Sequence, residues 1–248
     1  MSGHSKWSTI KRKKGATDAK RGQLFTKLAR EITVAARSGL PDPDANVRLR
    51  MAVQKARIEN MPKENIDRAI DRGSNEAGGE QYDEVYYEGY GPGGTALIIQ
   101  AMTDNRNRTV GEIRAVLSRA GGTLAENGSV GWIFDQVGLI TISSSGADQD
   151  LIALAAIDVG ASDVQIEDGT VEVFTDPHEL HLVQEGLTAA GFAIESSELW
   201  MRPKTTLSPD PDVAVKAIRL LEKLEELDDV QQVYSNVDVS DEVFAVVS

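Results

Sequence analysis

Val164-Gln-Ile-Glu-Asp-Gly-Thr-Val-Glu-Val-Phe174 consists of two short alternating runs joined by Asp168-Gly169. Alternation marks half-buried strands, and Asp-Gly signals a two-residue hairpin because both residues accept a positive φ. Upstream, Leu139–Ile142 reads as a strand, and Asp148–Val159 has a helical period expected to bury Leu151, Leu154 and Ala155. Downstream, Asp176-Pro177 caps a helix expected to bury Leu180, Val183 and Leu187 and to stop at Gly191, and Phe192–Trp200 reads as a last strand. The order strand, helix, strand, strand, helix, strand is the ferredoxin-like arrangement. Residues 137–204 are therefore expected to form one such domain.

The flanks of this stretch are incomplete by themselves. After a proline-marked linker from Pro203, a helix at Asp212–Leu227 is expected to bury Val213, Ala217, Leu221 and Leu224, with a strand at Val230–Val239 following it. Before it come strands at Val85–Glu88 and Thr95–Thr103, then a helix at Thr109–Ala120 with Thr109 and Glu112 as a capping box, and a strand at Val130–Phe134. A helix and a strand cannot make a domain, and the earlier piece lacks a second helix and a closing strand. Residues 77–136 and 205–248 are expected to complete each other as a discontinuous α/β domain into which 137–204 is inserted.

Ser74–Glu80 has a linker's composition, and helical periods precede it. A first helix from Thr17 or Asp18 to Gly39 places Leu24, Phe25, Leu28, Ile32 and Ala35 inward. A second, Asp44–Glu59, is expected to turn Val47, Met51 and Ile58, together with small alanines, inward, and a third runs from Pro62 to Gly73 with Ile66, Ala69 and Ile70 inward. The expected fold class is α+β and multidomain. A three-helix domain with a basic arm (residues 1–76) precedes two ferredoxin-like α/β domains, one inserted in the other.

Charge divides the chain sharply. Residues 1–37 hold ten Lys and Arg against two acids, and residues 1–73 hold seventeen against eight, a net +9. The remainder holds nine against thirty-one, a net −22, so the overall −13 describes neither half. Such asymmetry points to a polyanion partner for the basic end. Ser2–Ala16 is polar and basic and is expected to be mobile when free. Lys11-Arg-Lys-Lys14 followed by a helix carrying Lys20, Arg21, Lys27 and Arg30 forms a surface able to track phosphate, Lys6 adds charge, and Trp7 can stack on a base. The competing reading is a solvated arm on a protein-interaction scaffold. Arg106 and Arg108, before an expected helix start, offer a second phosphate contact or else a pair of cations neutralised by neighbouring acids.

Other chemistry finds little footing. With no cysteine there is no disulfide, thiolate nucleophile or thiolate-bound zinc. The longest apolar runs fall far short of a bilayer span, and the N-terminus lacks the apolar core of a signal peptide, so the chain is expected to be cytoplasmic. Gly89-Tyr-Gly-Pro-Gly-Gly94 matches a dinucleotide fingerprint in spacing, but it leads into a strand pattern rather than a helix. His178 and His181 lack a third ligand at a fixed offset, and Glu225, Glu226, Asp228 and Asp229 read as a solvated charge run. No cofactor, metal or small-molecule substrate is expected.

Gly3-His-Ser-Lys-Trp7 resembles the opening of the YebC family of probable transcriptional regulators, which also includes mitochondrial translational activators. Lys20-Arg-Gly-Gln-Leu-Phe-Thr-Lys-Leu28, Asn60-Met-Pro-Lys-Glu-Asn-Ile66, Glu88-Gly-Tyr-Gly-Pro-Gly-Gly94, Thr103-Asp-Asn-Arg-Asn-Arg-Thr109 and Gly128-Ser-Val-Gly-Trp-Ile-Phe134 are similar to further motifs of that family, in the same order. The resemblance implies a three-domain, non-enzymatic regulator of gene expression that binds either DNA or the translating ribosome through its RNA. Electrostatics leans to the ribosome, because the acidic remainder is repelled by duplex DNA and is suited to basic ribosomal proteins, within the reach that salt screening allows.

Overall fold

The structure is a computed structural model and describes residues 18–74, 81–144, 148–167, 169–239 and 243. The expectations on residues 1–17, on Asp168 and on the linker at 75–80 lie outside them. Among the described residues three helices come first: α1 (Asp18–Arg37), α2 (Val47–Ile58) and α3 (Lys63–Ser74). α1 buries Leu28, Ile32, Ala35 and Ala36, a stripe at helical spacing. Asn46 caps α2 by accepting the Leu49 N–H at 3.1 Å, and its amide donates to the Ala35 and Leu40 carbonyls, both at 2.9 Å. One residue thus starts a helix and fastens it to α1.

The inward face of α2 departs from expectation. Ala52 and Ala56 are buried as expected, but Leu49 and Val53 accompany them, whereas Val47 and Ile58 are exposed. Met51 leaves the bundle and packs against a core further along the chain. α2 is covered on two sides by different partners, so its apolar residues do not lie on a single stripe.

β1 (Asp83–Tyr90) and β2 (Ala96–Thr103) form a hairpin closed by a 3-10 turn at Pro92–Gly94. Then follow α4 (Arg106–Arg119), β3 (Thr123–Ala125), β4 (Phe134–Ser143), α5 (Gln149–Asp158), β5 (Asp163–Glu167) and β6 (Thr170–Thr175). α6 (Leu180–Ala189), β7 (Ile194–Pro203), α7 (Pro211–Glu225) and β8 (Val230–Ser235) complete the series. The second sheet has the order β5-β6-β4-β7, the ferredoxin-like arrangement read from the sequence. The first has the order β3-β1-β2-β8. That is the same spatial plan with altered connectivity: the strand beside the centre, β1, comes first in the chain, and the edge strand β8 arrives only after the second sheet. Leu97 lies opposite Ser235 and Ile99 opposite Val233, so distant segments share one ladder.

The two sheets pack face to face. Ala96, Ile98 and Tyr234 of one meet Leu139, Phe174 and Trp200 of the other, with the Trp200 and Tyr234 rings edge-on at 5.1 Å. α4 and α7 cover the outer face of the first sheet over Leu97, Ile99 and Val233, and α5 and α6 cover the second over Ile140, Ile142 and Val173. The result is four layers: helices, sheet, sheet, helices.

Three further expectations are corrected. Val130–Phe134 is not a strand; Gly131–Ile133 is a 3-10 turn and β4 begins at Phe134. The amides of Gly128, Val130 and Gly131 donate instead to the Glu88 carboxylate at 2.7, 2.6 and 2.9 Å, which removes them from any ladder. α4 begins three residues earlier than its supposed cap; Asn105 caps it by accepting the Arg108 N–H, and Thr109 is buried within the helix. α5 buries Ile152 and Ala156 and leaves Leu151 and Leu154 exposed, because a helix apolar on most sides has no unique inward face in its sequence.

Candidate nucleic-acid interface

Among the cations expected to meet phosphate, Lys6, Lys11, Arg12, Lys13 and Lys14 lie outside the described residues with Trp7, and so does the Lys20 side chain. The rest fall into two groups on α1 and α4. Arg21 is exposed, its guanidinium 5.7 Å from the Phe25 ring centroid. Further along α1, the Lys27 ammonium donates to the Glu225 carbonyl at 2.6 Å, and Gln23 donates to the Glu226 carbonyl at 2.6 Å. Arg30 donates to the Asp228 carbonyl and to Asp229 Oδ1 at 3.1 Å, and lies 5.3 Å from the Tyr82 ring centroid. The last carbonyls of a helix have no partners inside it and carry the negative end of its dipole. α1 therefore caps the C-terminus of α7 with its own cations.

Asp229 is the centre of the second group. It is 2% exposed, and its Oδ2 accepts from Arg108 at 2.6 Å, from the Thr109 hydroxyl at 2.7 Å and from the Thr103 hydroxyl at 3.0 Å. Its carbonyl accepts the Met102 N–H at 2.8 Å, which locks it at the start of β8. Burial alone would raise the pKa of this carboxyl; the hydrogen bonds from Arg108, Thr109 and Thr103 and the charge of Arg30 outweigh burial and hold it below its ordinary value. Arg108 also meets Asp104 at 2.7 Å, and Arg106 meets Asp83 at 2.8 Å. Lys27, Arg30, Arg106 and Arg108 are thus all engaged within the molecule.

The run Glu225–Asp229 is accordingly more than the solvated charge expected of it. Its carbonyls and Asp229 join α1, α4 and β8. The available signal was positional: Asp229 immediately precedes a buried strand residue, Val230, where a bare carboxylate is costly without donors.

Polar contacts also dock the helical bundle on both sheets. Arg48 meets Glu84 of β1 at 2.7 Å, and Lys55 bridges Glu31 and Glu198 of β7 at 3.3 and 3.5 Å. Arg50 lies 3.0 Å from His181 Nε2, which also faces Glu185, and no group of metal-ligating side chains forms among the described residues. Arg57, Lys63 and Arg72 are exposed and make no ion pair among the described residues, yet α3 offsets them with Glu64, Asp67 and Asp71. Residues 1–17 contain five Lys and Arg and no acid, and they are followed at once by Lys20 and Arg21. The concentrated positive charge lies there.

Two glycine-rich motifs prove structural. Gly93 and Gly94 adopt φ of +71° and +78° in the β1–β2 turn, and a Cβ on Gly93 would stand 2.7 Å from Val213. The turn serves α7 packing and opens no helix for a pyrophosphate. The other motif cradles Glu88, as described, and Tyr90 donates to the Ser129 carbonyl at 3.2 Å.

Residues 5–76 match the family model described as the TACO1/YebC protein N-terminal domain, and residues 82–237 match the TACO1/YebC second and third domain. A "Probable transcriptional regulatory protein" of Roseiflexus castenholzii is 56% identical over 248 residues, covering 98% of this chain and 97% of that one. One of Pelotomaculum thermopropionicum, of the same name, is 51% identical over 243 residues, 97% of this chain and 100% of that one. The crystal structure of a conserved hypothetical protein, Aq1575 from Aquifex aeolicus, superposes with a TM-score of 0.85 at 46% identity, over 90% of this chain and 92% of the other.

Proposed function

The chain belongs to the TACO1/YebC family, and from that premise we propose that it is a non-enzymatic regulator of gene expression that grips the phosphate backbone of a nucleic acid through its N-terminal segment. The observation that carries this reading is the concentration of charge: five cations without an acid in residues 1–17, continued by Lys20 and Arg21, on a chain whose remainder from residue 74 is −22. Lys6, Lys11, Arg12, Lys13, Lys14, Lys20 and Arg21 bind phosphate and Trp7 stacks on a base. Lys27, Arg30 and Arg108 hold α1 and α4 against the α7–β8 corner, and Arg106 pairs with Asp83 of β1, so these four cations are committed to the fold. Backbone contacts of this kind position the protein and carry no sequence information by themselves. The names of the relatives support a role in regulation.

The test is replacement of Lys11–Lys14 by alanine in the full chain, with affinity for duplex DNA and for ribosomal RNA measured across a salt series. The expected result is weaker binding and a flatter salt dependence, by about 0.7–0.9 log units per lost phosphate contact. An unchanged affinity and slope on both nucleic acids overturns the reading. The nucleic acid on which the loss is larger is the physiological class.

A further inference from the structure

We propose that the outward face of α5 is a docking surface for a basic amphipathic segment of another protein. Leu151, Leu154 and Ile157 are 59%, 60% and 59% exposed, while Ile152 and Ala156 of the same helix are buried. A spacing of three keeps the exposed trio on one stripe. A single exposed leucine needs no explanation; three contiguous large apolar side chains on a ten-residue helix do. α5 lies over β5 and β6, whereas α6 lies over β4 and β7 beside α2, so the helical bundle sits on the other side of α6. Within the described residues nothing covers the stripe.

Its electrostatic surroundings select the occupant. Between Arg119 and Arg202 lie eighty-two residues with fourteen Asp and Glu and no Lys or Arg. Asp148 and Asp150 flank the N-terminal end of the stripe, where the helix dipole welcomes them. Asp158 ends the helix at the negative pole of that dipole, with no basic residue in the last turn to offset it. An apolar stripe ringed by carboxylates, one of them unfavourably placed, is complementary to apolar side chains flanked by Lys or Arg. A nucleic acid is repelled by the same carboxylates, and a second copy of this face brings two acidic bodies together. This surface is on the opposite electrostatic half of the chain from the arm, so the inference stands independently of the nucleic-acid reading.

The experiment uses the full chain near physiological salt and two fluorescent helical peptides, one of Leu and Lys in an amphipathic repeat and one with Glu in place of Lys. Fluorescence anisotropy is read for the parent chain, for a Leu151→Gln, Leu154→Gln variant and for the Lys11–Lys14 alanine variant; sedimentation velocity gives the oligomeric state, and circular dichroism checks the fold. Both leucines already face solvent, so the double variant keeps its melting profile. The expected result is binding of the Lys peptide alone, about tenfold or more weaker to the double variant and unaffected by the arm substitutions. Equal binding to parent and double variant would mean bulk charge attraction only, and that result or the absence of binding overturns the proposal. A parent dimer that the double variant abolishes overturns it in favour of self-association.

Discussion

At the scale of one residue, Asp229 couples three elements through one carboxylate. Replacing it with alanine removes the carboxylate that Thr103 and Thr109 donate to and leaves Arg30 and Arg108 without their shared counter-charge. The expected cost is about 2–4 kcal/mol in chemical denaturation. Asp229→Asn keeps most of the hydrogen-bond geometry and is expected to cost less. The two variants differ in pH dependence from the parent in a defined direction. The folded-state pKa of Asp229 is depressed, so its contribution to stability is fully present above the unfolded value of about 3.9 and is lost as pH falls through the folded value. Glu84, beside Arg48, and Glu88, in its cradle of amides, are also depressed despite the opposing effect of burial, and act in the same direction. Acid titrations of stability are expected to be shallower below about pH 4 in Asp229→Asn than in the parent; superimposable acid limbs would show that Asp229 is not ionised and paired in the folded chain.

At the scale of the element, two glycines in the helical bundle make opposite predictions. Gly22 lies in α1 with open space where a Cβ would go. Gly22→Ala is expected to stabilise the protein by about 0.5–1 kcal/mol, since the helix loses a flexible residue and gains a strong helix former. Gly73 lies where α3 meets α1, and an added Cβ would stand 2.5 Å from the Thr33 carbonyl oxygen and 2.7 Å from the Ala36 Cβ. Gly73→Ala is expected to force the helices apart and cost about 1–3 kcal/mol. Melting temperatures that move in the same direction for both variants would contradict this packing. The contrast also marks where periodicity reads well. α1 and α6 show their inner faces in sequence because each packs on one side. α2 has partners on two sides, and α5 is apolar nearly all round, so in neither does a hydrophobic stripe identify the core.

At the scale of the whole molecule, the basic bundle is tied to the acidic body by cations that sequence reasoning had assigned to phosphate. Lys27→Ala with Arg30→Ala is therefore expected to lower the melting temperature and leave nucleic-acid affinity nearly unchanged, whereas alanine at Lys11–Lys14 lowers affinity and leaves melting unchanged. Thermal denaturation and the salt-titrated binding curve, measured on both variants, separate the roles. A loss of affinity in the first variant without a loss of stability would return Lys27 and Arg30 to the phosphate surface.

The amino-acid order by itself determined the charge polarity, the three opening helices and the ferredoxin-like order of the second sheet, because each rests on local period, turn chemistry or a simple count. It also raised the expectation that residues 77–136 and 205–248 complete each other, through what each piece lacked, and β2 and β8 share one ladder. The tertiary structure alone decided which cations are spent internally. Arg108 and Arg30 meet at Asp229 only when β8, from the end of the chain, pairs with β2 and brings the α7–β8 corner against α1. That meeting depends on contacts about 120 and 200 residues apart in sequence, a range at which no local pattern of charge distinguishes a phosphate ligand from an internal counter-ion.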